Sequence, residues 1–219
     1  SQLYDNFPNI ENIIEVQKQK YNLHWIKILK NCFFIKWDII IDFRSSLIGY
    51  VLQHKKKYIF KKNNNFHHLD QLTNLFGFNC LNLKVYNSKK EIQEANNKIK
   101  KEYKHVVIFP GGNWHPKIWS AKKFNELMHC INDNYDNIKF IIVGSQSEKN
   151  IYLEKINDGI NKDQIIDLMG ETLTLTGAYM LKSNLFIGND SGLMHLSTAS
   201  HLPTIGLFGP TNDKIYAPK

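Results

Sequence analysis

The feature that most constrains the fold of this sequence is a regular alternation of apolar and helix-like segments from residue 106 onward. Five short segments have the length and β-branched composition of buried strands, and amphipathic segments separate them. The predicted strands are 106–109, 140–143, 165–168, 185–188 and 204–208, and the predicted helices are 120–134, 148–158, 174–182 and 191–200. This order predicts βαβ units with right-handed crossovers and a parallel sheet, that is, a Rossmann-like α/β domain.

The first half of the sequence is also predicted to be α/β. The apolar run 33–43 predicts a buried strand that leads into a helix at 44–46, and the Lys- and Asn-rich stretch 55–65 predicts an edge strand with an exposed loop. A charged amphipathic helix over 89–104 separates the two halves. The expected division is a partial N-terminal Rossmann-like domain over 1–88, an interdomain helix over 89–104, and a truncated C-terminal domain over 105–219.

Composition narrows the classes of function. The 219 residues carry a formal net charge of +8, which favours anionic partners, although the many Lys and Asn residues could equally reflect an AT-rich genome. The basic residues are not interleaved with aromatic ones as in single-strand-binding surfaces, so we expect no nucleic-acid partner.

The cysteines and the start of the chain indicate the compartment. Cys32, Cys80 and Cys130 are odd in number and lack CxxC spacing, which predicts neither a disulfide framework nor a zinc site. Residues 1–9 do not resemble a signal peptide, and no apolar run reaches the ~20 residues needed to span a bilayer. We therefore expect a soluble cytoplasmic protein that is at most peripheral to a membrane.

The loop after the predicted strand 185–188 carries the strongest candidate for ligand binding. It reads Gly-Asn-Asp-Ser-Gly-Leu-Met-His over 188–195 and opens a helix, so its free amides and the helix dipole suit an anion such as a diphosphate. His195 lies one helical turn after Ser191 and can point to the same end. The alternative is structural: Asp190 or Ser191 caps the helix, and His195 packs in the interior.

Two further loops follow neighbouring strands. In the loop 110–120, Lys117 is free to neutralise a phosphate, or is a solvated lysine beside a structural Trp119, while Ser120 is placed to cap the next helix. A charge-assisted hydrogen bond from such a lysine contributes roughly 1.5–3 kcal/mol. In the loop 143–148, Glu148 can hold ribose hydroxyls, or can simply favour the helix dipole.

Three weaker candidates remain. The turn 208–213 offers Thr211 to a ligand, or is purely structural. Asp42 ends a strand where it could face an interdomain cleft, but pairing with Arg44 or capping of the next helix is favoured. A metal site is rejected, because adjacent histidines point to different faces and no third ligand has suitable spacing; the residues concerned are His67, His68 and Asp70.

In their order and spacing, these motifs resemble glycosyltransferase family 9, the heptosyltransferases of the lipopolysaccharide inner core. The motifs are Pro110-Gly111-Gly112 with Lys117-Ile118-Trp119, Val143-Gly144 with Glu148, Asn189 to His195, and Phe208-Gly209-Pro210-Thr211. The blocks 190–195 and 208–211 are the most specific. Segment 38–46 is similar to the family's Tyr-Asp-x-x-Ile-Asp strand, so the resemblance covers most of the chain.

The resemblance implies a GT-B architecture whose C-terminal domain binds ADP-heptose or a related nucleotide sugar, with no metal or other cofactor. It assigns the diphosphate to Lys117 and the amides around Ser191 and Gly192 with help from His195, the ribose to Glu148, and the sugar or its phosphate to Asp190. Gly111, Gly112 and Thr211 complete the implied donor-binding set. Gly170 and Glu171 would lie by the adenine, although Glu171 departs from the family's commoner Lys or apolar residue.

The implied reaction is inverting transfer of heptose to a lipid-linked lipid A–Kdo acceptor by a monomer, with peripheral contact to the cytoplasmic face of the inner membrane. Lys117 and Asp190 would assist catalysis. The family's general base lies in a Gly-Asp loop after its first strand, and no such loop occurs in this sequence, so the catalytic base stays unassigned. The alternatives are a nucleotide-sugar-binding fragment without transfer activity and a transferase of the same family that uses another nucleotide sugar.

Overall fold

The protein is described by a computed structural model that covers residues 2–17, 20, 24–78 and 83–218. Its packing divides the chain into two compact units. One contains Asn9–Leu81, and the other contains Gln2–Pro8 together with Asn82–Lys219. Cys80 lies outside the described residues, whereas Cys32 and Cys130 are both free thiols.

The first unit is a small α/β element. Its helices and strands are α1 His24–Cys32, β1 Trp37–Asp42, α2 Ile48–Val51, β2 His54–Ile59 and α3 His68–Phe76. The two strands pair in parallel, with Ile39 opposite Lys56 and Ile41 opposite Tyr58. The edge strand predicted within 55–65 is therefore confirmed as β2, and the loop that follows it is exposed.

The prediction that β1 is buried is wrong. Ile39 is 53% exposed and Ile41 is 46% exposed, because β1 has a single neighbouring strand and its helices cover it incompletely. Asp42, at the end of β1, has the structural role that the sequence favoured. Its carboxylate accepts hydrogen bonds from the Arg44 amide and from the Ser46 amide and hydroxyl, at 2.6–2.8 Å.

The second unit alternates strands and helices along the chain. Its elements are α4 Lys89–Lys98, β3 Lys104–Phe109, α5 Ala121–Asn134, β4 Ile138–Gly144, α6 Gln146–Ile156, β5 Ile165–Met169, α7 Leu173–Met180, β6 Leu185–Asn189, α8 Gly192–Ala199, β7 Thr204–Leu207 and α9 Asp213–Tyr216. Every strand and helix predicted after residue 105 is confirmed. Helix α6 begins earlier than predicted because Ser145 caps it, and the short α9 was not predicted.

The five strands of this unit form one parallel sheet in the order β5-β4-β3-β6-β7. The chain runs outward from β3 through β4 to β5 and then returns to the other side of β3 for β6 and β7. The connection that follows β3 therefore runs toward β4 on one side of the sheet, and the connection that follows β6 runs toward β7 on the other side. Such a switch point opens a crevice where ligands of doubly wound sheets bind.

Both faces of the sheet are covered by helices, as the continuous apolar strands require. Successive residues of a strand point to opposite faces. Val107 therefore packs in the core on the side of α4, α7 and α8, and Ile108 packs in the core on the side of α5 and α6. This double layer holds the strand ends, and the loops that follow them, in fixed positions.

Helix α4 ends at Lys98 rather than at residue 104, because the backbone turns extended at Ile99 and β3 then begins at Lys104. It packs on α7 within the second unit, where Glu94 lies near the Tyr179 hydroxyl. Burial and this carboxylate raise the pKa of Tyr179 to about 12. The domain limits proposed from the sequence, 1–88 and 105–219, stay predictions.

Candidate functional site

A cavity of about 730 Å³ opens at the carboxyl ends of the second unit's strands. Its walls come from the loops after β3, β4, β5 and β6 and from the first turns of α7 and α8. Most of the residues proposed from the sequence line it together: Gly112, Lys117, Glu148, Gly170, Glu171, Asp190, Ser191, Gly192 and His195. Residues from four separate loops thus meet at the switch point of the sheet.

Lys117 and Asp190 form a partly buried ion pair in this cavity. The Lys117 Nζ atom lies 2.7 Å from Asp190 Oδ2, and their side chains are 25% and 7% exposed. Lys117 ends a 3₁₀ turn over His115–Lys117 after β3, and Asp190 directly follows β6. The sequence placed both residues at the site but did not predict that they pair.

Glu148 is fixed by hydrogen bonds from two loops. Its Oε2 atom accepts from the Ser145 amide and hydroxyl, each at 2.7 Å, which closes a capping box at the start of α6. Its Oε1 atom accepts from the Gly112 amide at 2.9 Å, so the carboxylate also joins the loop after β3. A capping box is a stronger structural role than the dipole interaction weighed from the sequence.

The first turn of α8 presents backbone amides to the cavity. Ser191 rather than Asp190 caps the helix, and its Oγ accepts from the Met194 amide. The first amides of a helix have no partner within the helix and attract anions. A Cβ atom added at Gly192 would meet no other atom within 4 Å, so the cavity is open directly above this turn. His195 is exposed and faces the cavity instead of packing in the interior.

Two proposed residues do not line the cavity. Gly111 is buried behind Glu148, and a Cβ atom there would collide with the Glu148 carboxylate. Thr211 lies in the turn after β7, where its Oγ1 atom is buried and has no hydrogen-bond partner among the described residues. Neither residue is therefore part of the cavity surface.

Sequence reasoning gave no role to Asn189 and did not include Leu3. Asn189 is fully buried, and its side chain hydrogen-bonds to both ends of the loop that carries Lys117. Leu3 lines the cavity from the segment Gln2–Pro8, which the sequence had placed in the other domain. A buried role for Asn189 could have been inferred from a polar residue that ends an apolar strand, but no sequence signal pointed to Leu3.

Most of the carboxylates in the cavity already have partners. Its charged residues are Lys117, Glu148, Glu171 and Asp190, of which Lys117 is the cation. Glu148 is satisfied by N–H and O–H donors, and Asp190 by Lys117. An anionic ligand would therefore depend on Lys117 and the α8 amides. Among the described residues, no group of three or more His, Cys, Asp or Glu side chains is arranged to hold a metal ion.

No described helix has both the length and the apolar character needed to cross a membrane. Residues 67–219 match the model of glycosyltransferase family 9 (heptosyltransferase). Lipooligosaccharide heptosyltransferase 2 of Campylobacter jejuni is 28% identical over 95% of this chain and 69% of its own length.

Solved structures show the same fold. A family 9 glycosyltransferase from Veillonella parvula is similar with a TM-score of 0.79 and 20% identity, over 100% of this chain and 72% of that chain. The E. coli ADP-heptose lipopolysaccharide heptosyltransferase II is similar with a TM-score of 0.74 and 16% identity, over 99% and 75% respectively. Since the family model spans well over half of the chain, the protein belongs to glycosyltransferase family 9, the heptosyltransferases, and has the parallel α/β sheets of the GT-B fold.

Proposed function

We propose that the second unit binds ADP-heptose in the 730 Å³ cavity and that the protein transfers the heptose to the lipid A–Kdo inner core of lipopolysaccharide. The observation that carries this proposal is the convergence of Lys117, the open first turn of α8 and Glu148 on one cavity. A cation, helix amides and a carboxylate are the groups that a diphosphate joined to a ribose requires. The family membership and the E. coli relative named for ADP-heptose support this donor.

The diphosphate lies between Lys117 and the first turn of α8 in this proposal. An ammonium group has three donors, so Lys117 can keep its bond to Asp190 and still donate to a phosphate oxygen. His195 adds a donor from the same helix. Because Lys117 offsets the charge of Asp190, the diphosphate does not meet an uncompensated carboxylate at this wall.

The nucleoside lies toward β4 and β5. Glu148 lines the cavity beside the α8 turn, and its Oε1 atom, which accepts one bond from Gly112, can accept another from a ribose hydroxyl. Gly170 and Glu171 also line the cavity, together with apolar residues such as Leu3 and Leu173, and offer a place for the adenine.

The reaction is an inverting displacement in which an acceptor hydroxyl gives its proton to a general base, which is not assigned to a residue of this chain, and attacks the anomeric carbon as ADP leaves. Negative charge grows on the diphosphate as the glycosidic bond breaks. Lys117 and the α8 amides stabilise that charge because they are already oriented, and Asp190 orients the sugar. We propose that this needs neither a metal nor another cofactor.

The acceptor side of the proposal includes contact with a membrane. The exposed lysines of β2 in the first unit, Lys55, Lys56 and Lys57, suit the anionic surface that carries a lipid-linked acceptor. Binding of the monomeric protein to vesicles with anionic lipid, and not to neutral vesicles, tests this part. Equal binding to both vesicle types would contradict it.

Calorimetric titration with ADP, and with UDP, GDP and CMP for comparison, tests the donor site. We expect selective ADP binding that Lys117→Ala reduces at least about tenfold, since one charge-assisted bond contributes roughly 1.5–3 kcal/mol. Lys122→Ala is the matched control, because it removes the same charge from an exposed site outside the cavity. Unchanged ADP affinity in Lys117→Ala would contradict the assignment.

Transfer of labelled heptose to a lipid A–Kdo acceptor then separates the alternatives. Transfer of the label would support the proposed heptosyltransferase activity. Selective ADP binding without transfer indicates a nucleotide-sugar-binding function, and selective binding of another nucleotide indicates a different donor.

A further inference from the structure

The Asn189 side chain makes three hydrogen bonds in a fully buried position. Its Nδ2 atom donates to the carbonyl oxygens of Pro110 and Gly111, each at 3.0 Å, and its Oδ1 atom accepts from the Trp119 amide at 3.0 Å. Pro110 and Gly111 begin the loop after β3, and Trp119 ends it. One amide group therefore ties together the two ends of this ten-residue loop, which we call the Lys117 loop (residues 110–119).

An amide side chain is chemically suited to this position. It offers two N–H donors to the two carbonyl oxygens and one oxygen to the amide of Trp119. A carboxylate has the same shape but no donor, and a serine hydroxyl has a single donor. Both carbonyl oxygens accept from Asn189, and Gly111 itself is buried. Loss of the side chain would thus leave polar groups without a partner, which is costly inside a protein.

The partner of Lys117 is held by the strand end next to Asn189. Asp190 directly follows Asn189, and its backbone amide donates to the Leu207 carbonyl of β7 at 3.0 Å. Lys117 lies two residues before Trp119 and reaches Asp190 across 2.7 Å. The position of the lysine relative to the strand end therefore depends on the hydrogen bonds of Asn189.

We infer that Asn189 is a positioning residue for the donor diphosphate, acting by holding the Lys117 loop so that the Lys117 ammonium stays beside Asp190 and the first turn of α8. This rests on the proposed donor site. Asn189 does not line the cavity, so it acts through Lys117 and not by touching the donor. Preorganised charge is what stabilises a leaving diphosphate, and a loop released at both ends would lose that preorganisation.

The experiment compares binding of ADP with binding of adenosine, which lacks both phosphates. Asn189→Asp keeps the shape and the acceptor but removes both donors and adds a buried negative charge. Asn189→Ser keeps one donor and adds no charge, so it isolates the loss of hydrogen bonds from an effect of charge on the diphosphate. We expect ADP affinity to fall at least tenfold in Asn189→Asp and less in Asn189→Ser, while adenosine affinity stays unchanged in both. Adding Lys117→Ala to either variant should lower ADP affinity to the level of Lys117→Ala alone and no further.

Ser197→Ala is the matched control, because Ser197 is also fully buried and its hydroxyl bonds to the Met194 carbonyl within α8 and to Thr204 of β7, not to the Lys117 loop. It should lower stability and leave the ADP-to-adenosine ratio unchanged. Equal losses of ADP and adenosine affinity in the Asn189 variants, or full additivity with Lys117→Ala, would overturn the inference. If the wild-type protein binds no ADP, the proposed donor site itself fails, which is a distinguishable result.

Discussion

The second unit contains the same local motif twice, at the starts of α4 and α6. Ser88 and Glu91 form one capping box, and Ser145 and Glu148 form the other. In each, the serine amide and hydroxyl donate to one glutamate oxygen at 2.6–2.7 Å. The glutamate amide donates back to the serine hydroxyl, at 3.2 Å in one box and 3.3 Å in the other. The two boxes are therefore nearly identical in their local geometry.

The two boxes differ in what else the glutamate contacts. Glu91 accepts from the Thr174 hydroxyl at 2.5 Å and from the Asn6 amide group at 3.1 Å, so it joins α4 to α7 and to the segment Gln2–Pro8. Glu148 accepts from the Gly112 amide and lines the cavity. The difference shows that a local motif determines how a helix starts, while its place in the fold determines what the remaining oxygen can bind. This predicts a structural role for Glu91 and a ligand role for Glu148.

The largest expected effect is on stability, in Glu91→Ala. Removal of a carboxylate that accepts four hydrogen bonds, one of them from the buried Thr174, should lower the free energy of unfolding by about 3 kcal/mol. ADP affinity should not change while the protein is folded. Urea denaturation with ADP calorimetry checks both expectations. Glu126→Ala, an exposed carboxylate on α5, is the control and should lose less than about 1 kcal/mol.

The next largest effect is expected in Glu148→Gln, and it is an effect on the affinity for ADP rather than on stability. The glutamine keeps the shape of the side chain but replaces a charged acceptor of ribose hydroxyls, so ADP affinity should fall about tenfold. The measurement compares ADP with 2′,3′-dideoxy-ADP. The wild type should prefer ADP, and the variant should bind both nucleotides alike. A preference for ADP that persists in Glu148→Gln would mean that Glu148 is structural, like Glu91.

The parallel sheet could be predicted because its strands are buried on both faces and read as continuous apolar runs with β-branched residues, such as 140–143. Ser120 was recognised as a cap from position alone and is confirmed, and of the two caps considered for α8, Asp190 and Ser191, the structure shows Ser191. The burial of β1 was predicted wrongly, because an apolar run reports composition and not how many neighbours the strand has.

The site was predicted less completely, because its key contacts join residues far apart in sequence. Lys117 and Asp190 are 73 residues apart, and nothing local to either residue shows that they pair. The spacing Ser-x-x-Glu at 145–148 is a known capping signature, yet it does not show that the second oxygen of Glu148 reaches Gly112. Loops after neighbouring parallel strands converge at one edge of the sheet. That general rule predicted where the cavity lies, but it could not predict the hydrogen bonds within it.

A smaller effect is expected from removal of each cap. Ser88→Ala and Ser145→Ala should each lower the free energy of unfolding by about 1 kcal/mol, since each serine accepts one helix amide and donates to one glutamate. Denaturation of the two variants under the same conditions measures the difference directly. Costs that differ by more than about 1 kcal/mol would show that the boxes are not locally equivalent.

The smallest expected effect is the pH dependence of the stability that the Ser88–Glu91 capping box contributes. Burial opposes ionisation of Glu91, but hydrogen bonds from Thr174, Ser88 and Asn6 outweigh it and hold the pKa of its carboxyl below the ordinary value. A lowered folded-state pKa contributes stability that is present above the unfolded pKa and is lost as pH falls through the folded pKa. The stability difference between wild type and Glu91→Gln should therefore shrink between about pH 6 and about pH 3. A constant difference over that range would show that Glu91 acts in the fold through shape and not through its charge.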